Sequence, residues 1–247
     1  GTDNVAIGRD SLGSNTTASN NTAVGGAALL TNSTGASNTA IGQSALRLNT
    51  TGAVNTATGV NALKSNTTGT RNTSSGAYAL QNNTTADENS AFGYDSLGAN
   101  TTGANNTGIG RSALQNNTTA ANNTAVGFEA LKLNTTGSEN TAVGQGALST
   151  STTAGNNTAI GRLALGATTT GSSNAGFGLY AMLYNTTGYG NVAVGMSALE
   201  ANTTGYDNTA TGKGAMALNT TGESNTANGG GALDSNTTGI RNCAFGI

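Results

Sequence analysis

The chain repeats itself every 17 residues, and no other feature restricts its fold as much. Asparagine stands at Asn4, Asn21, Asn38, Asn55, Asn72, Asn89, Asn106 and Asn123, then at Asn140, Asn157, Asn174, Asn191, Asn208, Asn225 and Asn242. The unit reads N-T-A-[VI]-G-x-x-A-L-x-x-N-T-T-G-x-x, and 14 complete copies fill 4–241 without an insertion or deletion. A repeat this short suits one turn of a β-solenoid, whereas a propeller blade or a helix pair needs about twice the chain.

With the leading Asn as position 1, each place in the unit has its own chemistry. Position 5 is glycine in all 15 copies: Gly8, Gly25, Gly42, Gly59, Gly76, Gly93, Gly110, Gly127, Gly144, Gly161, Gly178, Gly195, Gly212, Gly229 and Gly246. Position 9 is Leu in 12 of 14 copies and Met at Met182 and Met216. Position 3 is mostly Ala, position 8 is Ala or Ser, and position 14 is always Thr. All 20 charged residues fall at positions 6, 7, 10, 16 or 17, which must therefore face water, because burying unpaired charge is prohibitive.

Gly, Asn and Thr are poor helix formers, so the unit reads as β. The stretch T-A-V-G alternates like a short strand, as does the stretch from Leu to the second Thr. The position-5 glycine is expected to supply a left-handed or tightly packed corner. The T-T-G/A step is a second corner that has no strict need for positive φ, since Ala replaces Gly in four copies. Coil stacked on coil, at roughly 4.8 Å each, makes a rod about 65–70 Å long. The Asn and Thr columns then form side-chain ladders that lock the register, or else a Thr face matched to ice. The expected architecture is all-β: a parallel β-solenoid, or β-roll, of about 14 coils spanning 1–247 as a single repeat region.

Leu, Ile, Val and Phe number 37 of 247 residues, too few for an ordinary globular core. One Val or Ile, one Leu and one or two Ala per coil are expected inside, with Phe92, Phe177 and Phe245 among them at position 4. Such a thin core must offset roughly 1–2 kcal/mol of backbone entropy per residue. Dense hydrogen bonding between coils is one remedy. Association of chains is the other, and it points to a parallel homotrimer joined through the small position-3 alanines. Gly1 enters at position 15 and Ile247 leaves at position 6, without capping elements. This suits a segment of a longer fibre, continued by other domains or by end-to-end association.

Chemistry has little to work with. The chain lacks His, Pro and Trp, and a net charge of −2 argues against nucleic acid as partner. No apolar run reaches the length of a membrane span. Cys243 replaces a ladder Thr and has no second cysteine to pair with, so it reads as an inert small side chain. No catalytic, cofactor or metal set emerges, and the expected chain is not an enzyme. A polysaccharide-degrading spike would need carboxylates gathered on one groove, and these are dispersed. The N-T-T triplets match a glycosylation pattern only as a by-product of the repeat. Specificity can reside in the variable positions, where Leu179, Tyr180, Leu183, Tyr184, Tyr189, Met196 and Tyr206 concentrate in adjacent coils. Tyr189 and Tyr206 share one position and are expected to stack, forming a contact patch for a surface glycan or protein. The same side chains could instead cover grooves between chains.

The strings Asn4-Val5-Ala6-Ile7-Gly8 and Asn191-Val192-Ala193-Val194-Gly195 resemble the S/N-V-A-I-G motif of YadA-like trimeric autotransporter adhesin heads. The unit from Asn123 to Gly137 is also similar to repeats of tail-fibre-like proteins. The resemblance implies left-handed parallel β-rolls, three chains side by side, and attachment at a bacterial or virion surface. Adhesin units are shorter, and their Val is mostly Thr here. The function expected is an extracellular structural or adhesive fibre segment, with a phage tail-fibre shaft and an ice-binding β-solenoid as alternatives.

Overall fold

The computed structural model describes residues 1–246. They are all-β, a parallel β-solenoid in which each 17-residue repeat makes one coil. The chain divides into two compact units, Gly1–Asn122 and Asn123–Ile247, built on the same coil. In the first, three-residue strands from Val5–Ile7 to Thr107–Ile109 pair in sequence order. In the second, strands from Thr124–Val126 to Cys243–Phe245 do the same. Each residue faces its counterpart one repeat away, as Thr39 faces Thr56 and Thr141 faces Thr158. The unbroken 17-residue period is what makes this register possible.

Each coil has one strand, at positions 2–4, and not two. The stretch from Leu to the second Thr is a run of turns, in which the Asn15 N–H donates to the Leu12 carbonyl (3.1 Å). Turns win there because the backbone repeatedly enters the left-handed region. Position 9 has φ between 49° and 53° in all 14 copies, although every one is Leu or Met. Positions 7 and 17 are left-handed as well, as at Asn61 (φ 57°) and Val54 (φ 60°). At position 5 glycine is needed twice over. Gly42 has φ 132°, and a Cβ on it would fall 2.6 Å from the carbonyl oxygen of Gly59 in the next coil. The position-15 glycines, as expected of a corner shared with alanine, do not have positive φ.

The interior differs from the sequence expectation in one respect that matters for function. Position-3 alanines, expected as the inter-chain surface, are wholly buried in all but the first and last coils, as Ala23, Ala57 and Ala159 show at 0% exposure. Position-4 side chains, expected in the core, point outward, with Ile41 42%, Phe92 42%, Phe177 37% and Phe245 74% exposed. Strand alternation permits only one of these two sets inside. The coil is narrow enough to decide which. A Cβ on Gly176 would lie 3.4 Å from Met182 Cε and 3.5 Å from Leu165 Cδ1, so nothing much larger than Ala fits beneath the position-9 side chains. The apolar core is therefore Ala, Ala and Leu per coil, as in Ala23, Ala28 and Leu29.

Buried amides complete this interior. The Asn55 side chain accepts from the Asn72 backbone N–H (2.9 Å) and donates to the Gly69 carbonyl (2.8 Å) in its own coil. A second asparagine column, at position 12, donates both sideways and along the stack. Asn66 Nδ2 donates to Asn49 Oδ1 (2.8 Å) and to the Gly69 carbonyl (3.0 Å). Both columns are fully buried through most coils, so nearly every amide must find a partner, and the repeat supplies one wherever asparagine follows asparagine inside the stack. The position-13 threonines form a third ladder, as Thr50 Oγ1 donates to the Thr67 carbonyl at 3.0 Å. The charged residues are all exposed or half-buried, as their positions required.

Candidate binding surfaces

The outer face of the strands presents two columns. At position 4 the first unit displays Ile7, Val24, Ile41, Phe92 and Ile109, and the second Val126, Val143, Ile160, Phe177 and Val194. Beside them, at position 2, stand Thr22, Thr39, Thr56, Thr73 and Thr107 in the first unit, and Thr124, Thr141 and Thr158 in the second. Alternation along the strand sends both columns outward while the alanine between them goes in. The position-2 hydroxyls have no hydrogen-bond partner among the described residues, unlike those at position 13. An apolar column in register with unpartnered hydroxyls can dry against another surface or order water, but it offers no acid, base or nucleophile.

The expected contact patch resolves into separate columns. Leu179 and Met196 lie at position 6, Tyr180 at position 7, and Leu183 and Tyr184 at positions 10 and 11. Tyr180 receives the Arg162 guanidinium, 5.8 Å from its ring centroid and 3.2 Å from its hydroxyl. Leu183 lies over Gly166, where a Cβ would meet its Cδ1 at 3.1 Å. Tyr184 stands out in solvent. Tyr189 and Tyr206, at position 16, do meet: their rings stack with centroids 4.8 Å apart and planes 4° from parallel. The Glu223 carboxylate of the following coil neighbours the Tyr206 hydroxyl and, by favouring the protonated form, raises the phenol above its ordinary pKa.

A second aromatic group, in the first unit, escaped the sequence reading. Tyr78 and Tyr94 meet edge to face at 5.7 Å, with the Arg111 guanidinium 6.0 Å from the Tyr94 centroid. Their sequence signal is diagonal, position 7 of one coil against position 6 of the next, so a search for identical positions misses it. Cys243 is exposed on the outer strand face, in the threonine column that makes no ladder. Among the described residues no cleft forms, and no group of three or more His, Cys, Asp or Glu side chains gathers as for a metal ion. Among these residues no helix is long and apolar enough to cross a membrane.

No family model, curated protein or solved structure matches this chain.

Proposed function

We propose that the chain is a segment of an extracellular structural or adhesive fibre whose copies associate side by side as a homotrimer through the outward strand face. The observation that carries this reading is the position-4 column. Val, Ile or Phe stands there in 11 of 15 coils, and most of these side chains keep roughly two-fifths of their surface or more in water. Covering what remains exposed contributes roughly 1 kcal/mol per side chain, hence several kcal/mol for each unit of each chain. Contiguous apolar surface of this kind marks an interaction site. The resemblance to adhesin heads supplies the number three and the setting at a bacterial or virion surface, and the variable positions are left to meet a host or other surface. Lysine placed in the column, as Ile41→Lys with Ile160→Lys, should dissociate the chains while circular dichroism stays that of the folded coil. Unchanged association would defeat the reading.

A second reading rests on the threonine column alone. Unpartnered hydroxyls beside methyl groups, repeated at the strand spacing, resemble an ice-binding surface. Thermal hysteresis by the isolated chain, lost on replacing Thr39 and Thr56 by bulky residues, would favour it over the fibre.

A further inference from the structure

The Tyr189–Tyr206 stack has one side closed and one side open. On the closed side Glu223 occupies the next step of the same column, beside the Tyr206 hydroxyl. On the open side the preceding steps are Ser172 and Gly155, which carry almost no side chain. The Ser172 hydroxyl is turned down onto the backbone, accepting from the Gly155 N–H at 3.3 Å and facing the Thr170 carbonyl at 3.4 Å. Tyr189 accordingly remains 50% exposed, although its partner covers one face of its ring. The column advances by the spacing of parallel strands, close to the 4.8 Å between the two rings. One further ring-sized step is thus left vacant against Tyr189.

The borders of that step are polar. Asn156 and Ser173, at position 17 of the same two coils, are exposed, and neither side chain is engaged in a hydrogen bond among the described residues. The Asp207 carboxylate lies over Gly190, where a side chain of any size would collide with it. A flat apolar face flanked by amide, hydroxyl and carboxylate groups suits a pyranose. Its C–H face stacks on an aromatic ring while its hydroxyls donate to carboxylates and amide oxygens. Asp207 and Glu223 beside the rings repel anionic sugars, so the charge selects neutral ones.

We infer that Tyr189 and Tyr206 form a platform for a neutral saccharide, which takes the vacant step above Ser172 and continues the stack. This names the ligand class of the adhesive surface and rests on the reading of the chain as an adhesive segment. The test is titration of the full chain, by calorimetry or ligand-observed NMR, with neutral gluco-, galacto- and chito-oligosaccharides, and with a uronic-acid oligosaccharide as the charged comparison. The expected result is binding of a neutral oligosaccharide, weakened about tenfold by Tyr189→Ser and retained by Tyr189→Phe. Ser172→Ile, which fills the vacant step with a bulky side chain that offers no ring face, should abolish it without unfolding the chain, since Ile240 already stands in the same column. Absence of neutral-saccharide binding, preference for the acidic oligosaccharide, or binding indifferent to both Tyr189→Ser and Ser172→Ile overturns the platform. Sedimentation of the same samples separates the two ideas: a trimer that attaches to surfaces without binding saccharide refutes the platform alone, and points to a protein partner.

Discussion

Asn72 donates its backbone N–H to the side-chain oxygen of Asn55, 2.9 Å away and one coil earlier. The same Asn55 donates its Nδ2 to the Gly69 carbonyl at 2.8 Å, so one side chain ties two coils and closes a corner. Asn55→Ala leaves the buried Asn72 N–H without an acceptor. The expected loss is about 2–4 kcal/mol, because an orphaned buried donor costs more than an average hydrogen bond contributes. Chemical denaturation would show it as a lower midpoint; an unchanged midpoint would mean the ladder is not structural.

The second asparagine ladder is interrupted in two consecutive coils. Ser151 and Thr168 stand at its position, fully buried, with hydroxyls that have no partner. Restoring asparagine at both places should return the bond along the stack, since Asn202 already donates in this way to Asn185 at 2.8 Å. The double variant Ser151→Asn, Thr168→Asn is expected to be more stable by about 1–3 kcal/mol, read as a rise in thermal midpoint.

Left-handed residues divide into two kinds with opposite responses. Val54 is β-branched, exposed and held at φ 60°, so its conformation costs energy and returns little packing. Val54→Asn should stabilise by about 1 kcal/mol, as asparagine tolerates this region. Leu63, at φ 50°, is equally strained but wholly buried. Leu63→Gly relieves about 1–2 kcal/mol of strain and removes a core side chain whose loss costs about 2–5 kcal/mol. Packing wins, and that variant should unfold at lower temperature.

Tyr206 should titrate above the ordinary phenol range, because the neighbouring Glu223 carboxylate favours the protonated phenol and repels the phenolate. A phenol raised in the folded state is protonated more there than in the unfolded chain. Its contribution is complete below the ordinary phenol range and is lost as the pH rises through the raised value. Ultraviolet titration should show a late phenol that Tyr206→Phe removes, and Glu223→Gln should lower its titration toward the ordinary range.

The solenoid was legible because the 17-residue step is written in every Asn and every position-5 Gly, and stacking identical coils is the way such a chain buries anything. The phase of the strand was the hard part. Thr-Ala-Val alternates equally well with Ala inside or with Thr and Val inside, and hydrophobicity argues for the wrong choice. The deciding signal is size. Position 3 admits only Ala, Ser and Gly, as a cramped interior requires, whereas position 4 admits Asn228, Ser75, Thr58 and Phe92, as a surface does. The left-handed leucines left no trace in composition, because core burial outweighs the backbone preference that would otherwise have placed glycine there. Within the patch, the Tyr189–Tyr206 stack followed directly from their shared position. The open step beside it depends on how the Ser172 side chain turns onto the backbone, a torsion that residue identity leaves free.

The outward apolar column at position 4 is the centre of the account, and the state of the unmodified chain in solution tests it most directly. Sedimentation equilibrium at micromolar concentration is predicted to give three times the chain mass of 24.0 kDa. A folded species at the mass of one chain, stable with Ile41, Phe92 and Ile160 in water, would contradict it.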